Sequence, residues 1–291
     1  MKIEVSHISQ LYDGKKAIND ISFTIQSNKI IGLLGRNGAG KTTLMHQLAG
    51  QLLPTSGMVQ LNGKPAFDNY ETVKSICFIK EAGNFKPNFK IREVLQLSAL
   101  FYPNWNSSLA EVLVKSFNLD KSMYVKALSK GMISSLGVIV GLASRSSITI
   151  FDEPYIGMDA VARQQFYDLL IEEYSEYPRT IILSTHLIDE ISNLFEEIII
   201  LKDGGLLIHE EAETLRKAGY AVEGPVDLIA DFSKGKNILG KNCFNNIQTV
   251  MLYDPNLSSK DVQKLGLTVT ALSIQDLLIQ LTKNTVKEVV Q

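Results

Sequence analysis

The sequence predicts an α/β domain around a largely parallel sheet, interrupted by a helical insert and followed by a small α+β appendix. Three observations carry this. Short apolar runs of strand length alternate with helical stretches. One of those runs feeds a glycine-rich loop ending in Lys-Thr-Thr. The alternation then breaks twice, once into a purely helical pattern and once, after Gly219, into turn-rich texture.

The elements follow in order. Strands are expected at 21–25, 30–34, 76–79, 148–151, 180–183 and 198–201, with helices at 41–50, 160–175 and 187–194. Between about 82 and 145 the spacing is helical throughout: Ile91, Val94, Leu95, Ser98 and Phe101 share one face, and Leu109, Val112, Leu113 and Phe117 another. Beyond Gly219 a strand is expected at 267–270. Ser273 then caps a helix that places Ile274, Leu277, Leu278 and Leu281 on one side. The division is therefore residues 1–218, with the insert, and residues 219–291 as an accessory or regulatory unit.

The totals narrow the function. With 291 residues the prior is about two domains. Basic and acidic residues number 29 and 31, for a net charge of −2, which leaves no footprint for a polyanionic partner and argues against nucleic acid. The start lacks the apolar core of an export signal, and no window approaches the length of a membrane span, so a chain that neither crosses a membrane nor is exported is expected. Cys77 and Cys243 lie far apart without metal-site spacing, which suits a reducing cytoplasm.

The stretch LLGRNGAGKTT fits the phosphate-loop pattern from Gly35 to Thr42, preceded by a strand and followed by a helix. Gly35, Gly38 and Gly40, with Asn37 and Ala39 between them, let successive N–H groups curl around a polyphosphate. The helix N-terminus adds partial positive charge there. Lys41 would reach the β- and γ-phosphates, Thr42 would ligate Mg²⁺, and Thr43 extends the loop. Downstream, SITIFDEP ends a buried strand in Asp152 and Glu153. A carboxylate there is costly unless it meets a cation, so Asp152 is the Mg²⁺-linked acid and Glu153 the group that activates water. His186, ending TIILSTH, stands where a strand edge could meet a γ-phosphate.

In this order and at these separations the motifs resemble the ATP-binding cassette (ABC) ATPases over about residues 2–217. That resemblance implies a cassette with an antiparallel N-terminal β part. It further implies that Tyr12 stacks on adenine, that Gly157, Met158 and Asp159 form the D-loop, and that His186 is the switch histidine. It makes ALSKGMISSLG the signature region. Ser129 and Gly131 would there cap the ATP held by a second, identical or different cassette, because the family's cassettes close head to tail. Two positions depart from the family. Met132 stands where glutamine is usual, so a polar contact to the opposite nucleotide is lost. Glu81 stands where the family's glutamine touches Mg²⁺; a carboxylate still ligates metal but donates no amide hydrogen bond.

The function implied is the ATP-hydrolysing subunit of a transporter whose membrane-spanning permease is a separate chain, held at the inner face of the membrane. The appendix containing TALSIQDLLIQLT resembles those of bacterial exporters of drugs, lipids or antimicrobial peptides. Two other readings compete. A soluble cassette acting on ribosomes or DNA would carry two phosphate loops or long heptads, and this chain has one loop and no sustained heptads. A catalytically silent module is supported by Glu81 and Met132 alone, against intact Lys41, Asp152, Glu153 and His186.

Overall fold

The computed structural model describes residues 1–283. Two long antiparallel strands open the chain, β1 (Ile3–Tyr12) and β2 (Lys15–Ile25). They are joined at Asp13-Gly14, both at positive φ (47° and 77°), the two-residue turn whose twist matches its strands. Strand β3 (Ile30–Leu34) feeds the glycine-rich loop and helix α1 (Lys41–Leu48). Strands β4 (Ser56–Leu61) and β5 (Lys64–Pro65) return to β1, closing a sheet of order β2-β1-β4-β5. After the short α2 (Tyr70–Val73) comes β6 (Ile76–Ile79). The expected helical insert follows as α3 (Ile91–Phe101), α4 (Ser107–Ser116) and α5 (Lys130–Ala143).

The chain then alternates again through β7 (Ile148–Asp152), α6 (Ala160–Glu176), β8 (Thr180–Ser184), α7 (Ile188–Ile191), β9 (Glu197–Lys202) and β10 (Gly205–Glu211). The central sheet has the order β10-β9-β3-β8-β7-β6. Its strands run parallel except for the antiparallel edge strand β10. Helix α8 (Ala212–Ala218) leads into a third sheet of β11 (Gly219–Pro225), β12 (Ile238–Phe244), β13 (Ile247–Tyr253) and β14 (Thr268–Ala271). Its order is β12-β13-β11-β14, with α9 (Val226–Phe232), α10 (Ser259–Lys264) and α11 (Ile274–Thr282) around it.

The central strands are apolar along their whole length because both faces are covered. In β3, Ile30 and Leu34 enter one core while Ile31 and Leu33 enter the other. In β9, Ile198 and Ile200 face one way and Ile199 and Leu201 the other. The first core lies under the helical insert and the second under the N-terminal sheet, so the central sheet is the shared wall between them.

The structure differs from the expectation at the chain's two β-rich ends. Residues 21–25 are only the last part of an 11-residue strand, and β1 has no counterpart in the periodicity. Its pairing with β2 shifts register between Val5 and Ile8, at His7 with φ 49°, which breaks the alternation a sequence reading depends on. Strands β11 and β12 carry Gly224, Pro225 and Gly240 and read as turns, and β13 was not expected either.

Ser273 does cap α11, accepting from the Asp276 N–H at 3.0 Å. The helix lies against the cassette, with Ile274, Leu277 and Leu278 in the same core as Ile188 and Ile191 of α7. Lys202 Nζ donates to the carbonyls of Leu281 (3.1 Å) and Lys283 (3.2 Å), satisfying acceptors at the helix end. Leu277 is 1% exposed, so Leu277→Ala is expected to lower unfolding free energy by about 2–5 kcal/mol, measured by urea titration at unchanged m.

Candidate functional site

The carboxyl ends of four neighbouring parallel strands deliver the site. β3 ends in the glycine-rich loop, β6 in the turn holding Glu81, β7 in Asp152, and β8 in Ser184 ahead of Thr185 and His186. In open α/β sheets such a crevice is where ligands bind. A cleft of about 460 Å³ there is lined by Tyr12, Asn37, Gly38, Gly40, Lys41, Thr42, Thr43, Glu81, Asp152 and Glu153. Ten of the residues singled out in the sequence thus share one cavity. Gly35 and His186 border the adjoining one, with Asn37 common to both, and Ala39 is buried beneath the loop.

Gly40 shows why the loop must be glycine-rich. Its φ is 101°, and a Cβ placed on it would stand 2.6 Å from the Ala17 carbonyl. Lys41 folds back, its Nζ donating to the carbonyls of Gly35 (2.7 Å) and Arg36 (3.3 Å). Burial lowers its pKa, while the nearby charges of Glu153 and Asp152 oppose that shift. A lysine held this way stiffens the loop and keeps its charge beside it. Tyr12, at the end of β1, is 47% exposed and offers a ring face at the rim of the cleft.

Asp152 is 4% exposed and accepts two hydroxyl bonds, from Thr42 Oγ1 to Oδ2 (3.0 Å) and from Ser184 Oγ to Oδ1 (2.8 Å). Glu81 sits on a turn fastened by Asn84, whose side chain accepts from the Lys80 N–H (2.8 Å) and donates to the Lys80 carbonyl (2.6 Å). Hydroxyl and carboxylate oxygens suit a hard divalent cation such as Mg²⁺. Among the described residues there is no cluster of three or more His, Cys, Asp and Glu able to hold a metal alone. That fits an ion taking its other ligands from phosphate and water.

Glu153 has φ 50°, an uncommon conformation for this side chain. His186 Nδ1 lies 2.7 Å from its Oε2, and because a carboxylate only accepts, the proton is assigned to Nδ1. Tyr155 Oη also meets Glu153 Oε2, and lies 2.6 Å from Thr185 Oγ1. Burial raises the phenol's pKa, with the Glu153 charge adding to it. Sequence reasoning missed Tyr155 and Ser184. Ser184 could have been found, because a hydroxyl closing an apolar strand beside β7 faces Asp152 in register. Tyr155 offered no such signal.

Three expected residues lie elsewhere. Ser129 is the N-cap of α5, its Oγ accepting from the Met132 N–H at 3.2 Å. Gly131 packs so closely on the D-loop that a Cβ would meet the Gly157 carbonyl at 2.5 Å. Ser134 fastens the same contact by donating to the Ile156 carbonyl at 2.7 Å. Asp159 caps α6, accepting from the Ala162 N–H at 2.8 Å. Met132 packs against the first core. None of these lines the cleft around Lys41.

The family model described as ABC transporter matches residues 18–156, from within β2 to Ile156. The ABC transporter ATP-binding protein MJ1023 of Methanocaldococcus jannaschii is 33% identical over 75% of this chain and 81% of its own. The bacitracin transport ATP-binding protein BcrA of Bacillus licheniformis is 30% identical over 74% of this chain and 71% of its own. YtrB of Bacillus subtilis, also an ABC transporter ATP-binding protein, is 26% identical, covering 77% of each. Among solved structures, an ATP-binding subunit of an ABC transporter superposes with a TM-score of 0.67 at 24% identity, over 74% of this chain and 92% of that one. A dimeric cassette described as bound to ADP and Pi in a post-hydrolysis state gives 0.65 at 22%, over 72% and 98%. These last two likenesses establish the fold. Together with the relatives at 30% identity and above, they mean that this chain belongs to the ABC transporter family, as an ATP-binding cassette with ATPase activity.

Proposed function

We propose that the chain is the energising subunit of a transporter, binding Mg·ATP in the cleft between β3, β6 and β7 and passing the work of hydrolysis to a separate membrane permease. The observation that carries this reading is the single cleft in which Lys41, Thr42, Asp152 and Glu153 meet. Loop N–H groups and Lys41 take the phosphates, and Tyr12 takes the base by stacking. Thr42, Asp152 and Glu81 would hold Mg²⁺, which would supply neutralisation of phosphate charge. Glu153 accepts the proton of the attacking water, and His186 orients it and meets the γ-phosphate.

Ser129, Gly131 and Asp159, being outside the cleft, act on a nucleotide held by a second cassette, identical or not. The N-terminus of α5 then faces that nucleotide's γ-phosphate. An apolar groove of about 240 Å³ between β6 and the helical insert, bordered by Phe85, Phe89, Leu97 and Phe101, supports a docked partner such as the permease. No helix among the described residues is long and apolar enough to cross a membrane, so attachment to the inner face runs through that partner. The substrate reading is export of a drug, lipid or antimicrobial peptide, and similarity to a bacitracin transport protein supports its peptide part. Residues 219–291 serve as an accessory, regulatory unit.

Glu153→Gln is expected to keep fluorescent-ATP affinity and lower turnover by about 10²–10⁴. Parental hydrolysis in that variant would move the role elsewhere. Glu81→Gln is expected to shift the Mg²⁺ concentration giving half-maximal hydrolysis; an unchanged titration would remove Glu81 from the metal site. Ser129→Arg, in a Glu153→Gln background shown to self-associate with ATP, should abolish dimers on size-exclusion chromatography and leave monomer affinity near parental. Weakened monomer binding as severe as that of Lys41→Ala would contradict action in trans.

A further inference from the structure

Tyr155 follows the Asp152-Glu153-Pro154 turn and is 2% exposed, yet its hydroxyl is fully engaged. A phenol has one proton and two lone pairs. The His186 N–H donates to Oη at 3.0 Å, and Thr185 Oγ1 lies 2.6 Å away. Thr185 Oγ1 itself accepts the Leu187 N–H at 2.9 Å, leaving its proton for Oη. The phenol's own proton has one remaining acceptor, Glu153 Oε2. The direction of every bond is thereby fixed: the Thr185 hydroxyl and the His186 N–H donate into Tyr155, and Tyr155 donates into Glu153.

The same Oε2 takes the His186 Nδ1–H, so both donors hold one oxygen. Among the described residues Oε1 has no hydrogen-bond partner. The two rings stand edge to face, 5.6 Å apart at 63°, bracketing the carboxylate. Burial and the adjacent negative charge keep the phenol protonated, so its donor role persists at any ordinary pH.

We propose that Tyr155 is a positioning residue for ATP hydrolysis. It clamps Glu153 Oε2, so that Oε1 alone addresses the water, and it ties the carboxylate to the segment carrying His186. The proposal rests on the reading of Glu153 as the base. It gives Tyr155 a purpose that packing does not require, since phenylalanine would fill the same volume.

The test compares Tyr155→Phe, Thr185→Val, Thr185→Ser, Glu153→Gln and the Tyr155→Phe/Glu153→Gln double variant. Fluorescent-ATP affinity, thermal midpoint, steady-state kinetics and single-turnover hydrolysis are measured on the full chain. Tyr155→Phe is expected to lower kcat about tenfold to hundredfold with KM for ATP and nucleotide affinity unchanged, because a misaligned base affects only the chemical step. Thr185→Val should lower kcat less, and Thr185→Ser, which keeps the donor, should restore it. The double variant should be no slower than Glu153→Gln alone, as residues acting through one group are not additive. A kcat within twofold of parental in Tyr155→Phe, a loss confined to thermal midpoint, or an additive double variant would each overturn the assignment. Parental turnover in Glu153→Gln would instead remove the base reading, and the clamp with it, and that arm alone decides it.

Discussion

The Asp152 carboxylate is the point on which the site depends. It closes a strand whose other residues are all buried and, Thr149 apart, apolar, so a carboxyl group is forced to the edge of two cores. Burying such a charge is costly unless donors or a cation meet it. The parallel register sets Asp152 beside Ser184, and the start of α1 brings Thr42 to its other oxygen. Three elements, one of them 110 residues and another 32 residues from Asp152 in sequence, are thereby tied to one carboxylate. The rest of the cleft takes its positions from that tie: Lys41 one residue before Thr42, Glu153 one after Asp152, His186 two after Ser184.

Most of the cleft was legible because its determinants are local. A phosphate loop needs positive φ at particular glycines and a helix starting at once, and both leave marks within a dozen residues. Acid at the end of an apolar strand is equally local. What sequence did not disclose depends on long-range geometry. The β1 strand was hidden by its register shift at His7, and β11 and β12 by the glycines and proline they tolerate. Tyr155 reads as one more apolar residue until Thr185 and His186, thirty residues on, are folded against it. The packing of α11 was equally invisible, since its apolar face announces burial without saying against what.

The position of α11 bears on how the parts of the chain communicate. Gln275, Leu278 and Thr282 share a cavity wall with Gly35, Asn37, Thr185 and His186. Lys202 at the end of β9 holds the helix's last carbonyls, and β9 pairs directly with β3, the strand that carries the phosphate loop. The phosphate loop and α11 are thus joined by a hydrogen-bonded strand and a shared cavity wall, and α11 also contacts β12 of the third sheet. Coupling of this kind needs a contiguous packed route, and one is present.

The proposed signature helix is held by the same economy of contacts. Gly131 has no room for a side chain because Gly157 lies against it, and Ser134 fastens the D-loop backbone. The D-loop begins three residues beyond Pro154, so the N-terminus of α5 is rigidly spaced from Asp152 and Glu153 through one short segment. Tyr155 sits within that segment. The carboxylate is joined to the N-terminus of α5, the face proposed to meet a second cassette, through Tyr155, Ile156 and Gly157, without passing through the sheet. The proposed clamp on Glu153 and the placement of Ser129 are thus two ends of one segment, so the surface proposed for a partner is positioned by the residues that follow the proposed base.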